Sequence, residues 1–186
     1  MSTTSNSLVR LATAAERAVS RLGLAVSFLS LAMVLTTAVV VVLRKYFDVG
    51  YIWMQESVTW MHAALFMLAA AYTLALDEHV RVDIFYSRLR PAGRAWVDTV
   101  GVLFLLVPTC VVILVYGWRY VAVSWSIGEG SPEAGGLPGL YWLKTLLLVT
   151  PALLIIEGVA LVVLRWARVG NGEPGPDGGA EEPRGL

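Results

Sequence analysis

Residues 22–43 read LGLAVSFLSLAMVLTTAVVVVL and hold no charged side chain. About 20 helical residues cross the hydrocarbon of a bilayer, so this segment is long enough to span a membrane. Comparable apolar runs follow at residues 53–76, 97–123 and 141–164. Only helices and closed barrels satisfy their backbone hydrogen bonds in lipid, and unbroken apolar runs of this length are typical of helices. The sequence therefore predicts an all-α integral membrane protein with four transmembrane helices.

The overall composition agrees with lipid surroundings. Hydrophobic residues make up 57% of the 186 residues and charged residues 15%, whereas about a quarter of a soluble domain is charged. The 14 basic and 14 acidic residues cancel, which leaves no net positive charge to attract a nucleic acid. We therefore expect membrane lipid as a partner and no nucleic acid.

The chain divides into a membrane domain, residues 22–167, and two flanking segments. The N-terminal arm, residues 1–21, places apolar side chains at helical spacing opposite Arg10, Arg17 and Arg21. This pattern predicts a helix that either lies at the membrane interface or extends the first span. The tail, residues 168–186, is rich in glycine, proline and acidic residues, a composition typical of disordered segments.

Lysine and arginine are distributed unevenly between the two sides of the membrane that this topology defines. Ten lie in the terminal flanks and in the connection between the second and third spans: Arg10, Arg17, Arg21, Arg81, Arg88, Arg90, Arg94, Arg165, Arg168 and Arg184. Four lie on the opposite side: Arg44, Lys45, Arg119 and Lys144. Because positively charged flanks stay in the cytoplasm, both termini of this multi-pass, inner-membrane chain are predicted to be cytoplasmic.

Two connections between the spans are longer than turns. Residues 77–96, DEHVRVDIFYSRLRPAGRAW, interleave apolar and charged side chains. They predict an amphipathic interfacial helix on the cytoplasmic surface between helices two and three. Residues 126–142, SIGEGSPEAGGLPGLYW, are rich in glycine and proline and carry Glu129 and Glu133. On the outer side of the membrane this segment is either a docking surface or a plain exposed loop.

Polar side chains inside the predicted spans are candidate functional residues, because each is costly in lipid unless it is paired. Gln55, Glu56 and His62 lie in the second span. For Glu56 three interpretations stay open. It forms an ion pair with Lys144 or Arg119 at the same predicted depth, it binds a coupling ion or proton, or it reaches water.

Two other side chains within the spans have structural interpretations. Glu157 lies in the cytoplasmic half of the fourth span, where we expect a contact between helices or subunits. Cys110, the single cysteine, lies in the third span and excludes an internal disulfide.

No pattern of catalytic, metal-binding or cofactor-binding residues is found in the sequence. The HExxH, phosphate-binding-loop, GxSxG and CxxC motifs are absent. His62 and His79, the two histidines, would be about 25 Å apart along one helix, too far to clamp a haem. We therefore expect no enzymatic activity, no metal and no cofactor in this chain. Two functions stay open: an accessory subunit of a larger membrane complex, or an autonomous small oligomeric transporter that uses Glu56 to carry protons.

Several short patterns give the chain a family resemblance. Residues 53–56 read WMQE, residues 79–83 read HVRVD, and residues 129–144 follow the order E-x-S-x4-G-L-P-x5-K. Over roughly residues 20–167, these patterns resemble the small, DctQ-like permease subunit of tripartite ATP-independent periplasmic (TRAP) transporters. Gln55 stands where many members carry the first of two consecutive glutamates.

The resemblance implies a role in secondary uptake across the bacterial inner membrane. In that family a periplasmic substrate-binding protein delivers an organic acid to a large permease subunit, which moves it inward by sodium symport. The small subunit supports the large one as a scaffold and can help to dock the binding protein. Sodium is then expected in the partner subunit. His79, Arg81 and Asp83 are the expected contacts to lipid headgroups or to the partner on the cytoplasmic side.

Overall fold

The computed structural model describes residues 3–76 and 89–171, with side chains from residue 7 onward. Within this part of the chain, four helices are long and apolar enough to cross a membrane. They are α1 (Thr3–Phe47), α2 (Ile52–Ala75), α3 (Pro91–Ser126) and α4 (Leu140–Asn171). The predicted all-α fold with four membrane-spanning helices is confirmed.

The predicted amphipathic helix between helices two and three falls largely outside the described residues. His79, Arg81 and Asp83 lie within residues 77–88, which are not described, so their role at an interface stays a prediction. The same holds for the predicted disorder of the tail, because residues 172–186 also lie outside the described part.

The N-terminal arm is helical and continuous with the first span. The 45 residues of α1 extend about 68 Å at 1.5 Å per residue, roughly twice the thickness of the hydrocarbon layer. Of the two arrangements that the sequence left open for the arm, the structure has the one that extends the span. A large part of α1 therefore projects beyond the membrane.

A single wide turn interrupts the regular geometry of α3. Residues Val102–Leu106 form a π-helical turn, in which the Val107 N–H donates to the carbonyl of Val102. Pro108 follows immediately; its ring has no N–H and clashes with the carbonyl four residues earlier in a regular helix. The wide turn lies where this clash would otherwise occur.

Helix α4 is the centre of the bundle, because it packs against all three other helices. Helices α1 and α2 pack on each other and on α4, whereas α3 packs mainly on α4. Close approach occurs at small residues, as is common between membrane helices. A Cβ atom on Gly23 of α1 would lie 2.7 Å from Cδ1 of Tyr72 in α2, and one on Gly158 of α4 would lie 3.2 Å from Val102 in α3.

The two ends of the bundle carry different features. Residues 48–51 and 127–139 connect the helices at one end, which we call the loop end. At the opposite end, which we call the terminal end, α1 begins, α2 ends, and α4 ends. Most charged side chains that make specific contacts lie near one of these two ends.

Candidate functional site

The connection between α3 and α4, residues 127–139, folds into a compact loop. Its backbone closes on itself: the Ser131 N–H donates to the carbonyl of Leu137 at 3.0 Å, and the Gly136 N–H donates to that of Glu133 at 3.0 Å. Three loop glycines have positive φ angles, which residues with a Cβ rarely adopt: Gly128, Gly135 and Gly139. The glycines therefore allow the backbone turns that this loop conformation requires.

Glu56 of α2 joins this loop to the first pair of helices. Its carboxylate accepts a hydrogen bond from the Ser131 hydroxyl and another from the backbone N–H of Leu137, the latter at 2.6 Å. Hydrogen bonds to an ionised acceptor are shorter and roughly twice as strong as neutral ones. Because Glu56 and Leu137 are 81 positions apart, the contact ties the second connection to the start of α2.

Gly136 allows this approach because it has no side chain. A Cβ atom at this position would lie 2.7 Å from Oε2 of Glu56, and closer still to the Ser131 side chain. Separations below 3.0 Å essentially never occur for real Cβ atoms, so any other residue would displace the carboxylate or the serine. Glu56, Ser131, Gly136 and Leu137 act as one unit, which we call the Glu56 site.

A second polar contact lies beside the Glu56 site. Lys144, from the first turns of α4, donates to the Glu129 carboxylate at 2.5 Å, and its ammonium lies 4.2 Å from the centre of the Tyr120 ring in α3. The hydrogen bond from Lys144 lowers the pKa of the Glu129 carboxyl, because it stabilises the ionised form. This pair holds the start of the loop against α4.

Among the described residues, Glu56 does not contact Lys144 or Arg119, the ion pair that was one of its three interpretations. Lys144 pairs with Glu129 and faces Tyr120 of α3, while Glu56 bonds the loop itself. Arg119 is exposed and lines a groove of about 470 Å³ that Lys144 and Tyr120 also border. A common depth along the membrane normal, which is what the sequence predicts for these charges, does not say which helix face each one occupies.

Aromatic rings close the base of the loop. Trp125, at the end of α3, has its ring centre 4.5 Å from that of Tyr141 and 4.8 Å from that of Trp142, both at the start of α4. The indole N–H of Trp125 donates to the Thr145 hydroxyl at 2.9 Å. Such rings suit the boundary between lipid and water, where the apolar body is buried and the polar edge bonds.

One stripe of α2 carries polar side chains and faces away from the other helices. Gln55, Thr59, His62 and Phe66 are all exposed, and Phe66 has 73% of its surface accessible. The His62 ring stacks on Phe66 with centroids 6.5 Å apart. A row of polar side chains facing lipid is costly. This surface, which we call the α2 stripe, is therefore a candidate contact surface for another protein.

A buried ion pair joins α3 to α4 at the terminal end. Asp98 and Arg165 approach to 3.2 Å, with side chains that are 7% and 10% exposed. Beside them the Trp166 indole N–H donates to the Thr99 hydroxyl at 3.0 Å, and Trp96 packs edge-on against Trp166. Sequence reasoning missed this pair because it counted Arg165 only as a positive flank. The available signal was that Asp98 is the one acidic residue within the third apolar run.

Glu157 is buried in α4 toward the terminal end. Its side chain is 2% exposed, and its Oε2 atom has no hydrogen-bond partner in the described part of the protein. The contact between helices or subunits that the sequence predicted for Glu157 stays a prediction.

Comparison with known proteins assigns the chain to a family. No curated protein sequence matches it. Residues 33–168, however, match the family described as tripartite ATP-independent periplasmic transporters, DctQ component. The matched range holds all of α2 and α3, the last third of α1, most of α4, the Glu56 site and the pair of Asp98 with Arg165. Because the match covers well over half of the 186 residues, the chain belongs to the DctQ family, the small membrane subunits of TRAP transporters.

Proposed function

We propose that this chain is the accessory subunit that holds the large permease subunit of a sodium-gradient-driven organic-acid importer in the bacterial inner membrane. The family membership over residues 33–168 carries the proposal. In this arrangement the large subunit binds sodium and the organic acid, and a periplasmic substrate-binding protein delivers the acid. The chain itself takes no part in catalysis and binds no cofactor.

The engagement of the charged side chains supports an accessory role. Glu56 bonds the loop, Lys144 bonds Glu129, and Asp98 bonds Arg165. A carboxylate that carries ions across a membrane must release its protein partners in each cycle. Glu56 accepts two hydrogen bonds that organise the loop, so its geometry favours a structural role over that of a proton carrier.

The α2 stripe is the surface that we assign to the large subunit. A membrane helix that faces lipid gains nothing from Gln55, Thr59 and His62, whereas these side chains can hydrogen-bond across a helix–helix interface. Because these side chains are exposed on the described chain, they are accessible to a helix of another subunit. The large subunit is therefore expected to bring polar groups to this face.

The loop end is the side that we assign to the periplasmic binding protein. The Glu56 site holds residues 127–139 in one conformation before any partner arrives, which reduces the entropy that docking must overcome. Glu133 is exposed on this loop and offers a negative charge to a partner. In this orientation the terminal end lies in the cytoplasm, as the distribution of lysine and arginine predicts.

Affinity purification of the full chain from its native membrane in mild detergent tests the assignment. Mass spectrometry of the eluate is expected to identify a large multi-span permease. Sodium-dependent uptake in vesicles should then require this chain, the large subunit and a binding protein together. If the purified chain moved substrate alone after reconstitution, the accessory assignment would be wrong and a proton-carrying role for Glu56 would be favoured.

Variants of the α2 stripe test which face is used. His62→Leu, which keeps the bulk but removes the polar ring, is expected to lower recovery of the large subunit. Thr109→Val on the exposed face of α3 is the matched control, because it also removes one polar group from the membrane surface. Equal recovery with both variants would rule out the α2 stripe as the contact surface.

A further inference from the structure

A cavity lies between α1, α2 and α4 at the terminal end, away from the Glu56 site. Its volume is about 190 Å³, and its lining includes Glu16 of α1, Leu76 after α2, and Glu157, Arg165 and Arg168 of α4. About six water molecules occupy this volume in liquid water. The cavity is therefore large enough for a small polar group.

Glu157, which lines this cavity, has a carboxyl oxygen that receives no hydrogen bond from the described part of the chain. The side chain is 98% buried, since 2% is exposed, and its Oε2 atom has no partner among the described residues. Glu16 of α1, a second acidic residue, lines the same cavity. Buried charges are stable when they are paired and hydrogen-bonded. Two carboxylates that share one cavity therefore call for a cation that can donate to both.

Positive groups line the other part of the same cavity. Glu157, Arg165 and Arg168 lie on one face of α4, at positions i, i+8 and i+11. Arg165 is engaged with Asp98 at 3.2 Å, whereas Arg168 brings a second guanidinium to the lining. The cavity thus combines two carboxyl groups with guanidinium groups, which lie nearer the end of α4 than Glu157 does. A ligand that suits both has a cation and an anion a short distance apart.

The depth of the cavity indicates where such a ligand comes from. The 24 residues of α2 extend about 36 Å, only slightly more than the roughly 30 Å of hydrocarbon. Ala75 and Leu76, which line the cavity, therefore mark the membrane boundary at the terminal end. Leu161 and Leu164 give the lining an apolar side as well. A group that is polar at one end and continues into apolar chains matches this position.

We propose that the cavity binds the headgroup of an aminophospholipid such as phosphatidylethanolamine from the adjacent leaflet. Its primary ammonium donates to Glu157 and Glu16, and its phosphate accepts from Arg168. A primary ammonium carries three N–H donors and can serve two carboxylates, whereas the quaternary ammonium of choline has none. Choline sites are commonly aromatic cages, and the described lining has no aromatic residue. Nor do three potential metal-binding side chains meet anywhere in the described parts of the chain.

Native mass spectrometry of the full chain in nanodiscs tests the headgroup preference directly. The discs hold equal amounts of phosphatidylethanolamine, phosphatidylcholine and phosphatidylglycerol, and the lipids retained by the chain are identified after release. We expect phosphatidylethanolamine to be retained about tenfold over the other two, because each of them lacks the ammonium donors that bond to the carboxylates. Equal retention of the three lipids would overturn the proposal. So would preferential retention of phosphatidylglycerol, which would point to the guanidinium groups alone.

Two substitutions locate the site. Glu157→Gln keeps the volume and removes the charge, so retention of phosphatidylethanolamine should fall by about tenfold, as expected for a lost charge-assisted bond. Glu133→Gln removes a charge from the exposed loop at the opposite end and should leave retention unchanged. Unchanged retention in Glu157→Gln would contradict the assignment. If that variant did not fold, the comparison of lipids on the unaltered chain would still decide, and soluble phosphoethanolamine competing with the lipid would show that the headgroup alone is recognised.

Discussion

Replacing Glu56 by alanine should release the loop of residues 127–139. The substitution removes the acceptor for the Ser131 hydroxyl and for the Leu137 backbone N–H. A hydrogen bond to a charged group contributes about 1.5–3 kcal/mol, and Glu56 is only half-buried, so water replaces part of what is lost. We therefore expect the free energy of local opening at Leu137 to fall by about 2 kcal/mol.

Hydrogen exchange of the Leu137 amide in detergent measures this change. A fall of about 2 kcal/mol corresponds to roughly thirtyfold faster exchange, at 1.4 kcal/mol for each factor of ten. Glu56→Gln keeps a neutral acceptor, so its effect should be smaller, about fivefold. The control is Glu133→Ala, which removes an exposed carboxylate from the same loop and leaves its backbone hydrogen bonds in place.

The Leu137 exchange rates of the three variants together test whether the Glu56 carboxylate holds the loop. If Leu137 exchanged at the same rate in Glu56→Ala as in the unaltered chain, the turns within the loop would be sufficient to hold it. An acceleration of exchange as large in Glu133→Ala as in Glu56→Ala would show a general effect of loop charge. Either result would refute the reasoning that the Glu56 carboxylate organises the loop.

Three further expectations test other contacts. Gly136→Ala should destabilise the loop by about 1–3 kcal/mol because its Cβ overlaps the Glu56 site, and an unchanged Leu137 exchange rate would contradict this. Asp98→Asn should lower the unfolding free energy by about 3 kcal/mol because the buried charge–charge contact with Arg165 is lost; a loss below about 1 kcal/mol in steric-trapping experiments would show that this ion pair contributes little to stability. Because Lys144 lowers the pKa of Glu129 from 4.5, the stabilisation from their pair is complete above that ordinary value and is lost as the pH falls through the lowered one. Acid titration of tryptophan fluorescence should show this transition, and its persistence in Glu129→Gln would assign it to another group.

The helices could be predicted from the sequence because each rests on a local property. An apolar run such as residues 22–43 must be helical in lipid, whatever the rest of the chain does. The continuity of α1 through its arm was one of two predicted arrangements, since a periodic pattern does not say whether a helix bends onto the membrane surface. The wide turn before Pro108 had a visible cause in the sequence, but several helical distortions can relieve the same clash.

The partners of the charged residues could not be predicted, because they depend on long-range geometry. Glu56 and Lys144 have the same predicted depth, yet their contacts are set by the path of the intervening loop. That path uses backbone turns at Gly135 and Gly139, which leave no trace in hydrophobic patterning. Asp98 and Arg165 were both visible in the sequence, but their pairing required knowing that α3 packs on α4 at that level.

The separation between Glu56 and its partners has a consequence for the order of events during synthesis. Glu56 leaves the ribosome 75 residues before Ser131 and 81 before Leu137. A nascent chain therefore inserts α1 and α2 as a first hairpin whose carboxylate still faces water. We expect the contact to form only after α3 has crossed and α4 has entered, because α4 is the helix that packs against both the first two helices and α3. Protection of the Leu137 amide from hydrogen exchange therefore reports that the bundle is assembled. Nascent chains arrested after α4 emerges should show this protection, and chains arrested before it should not.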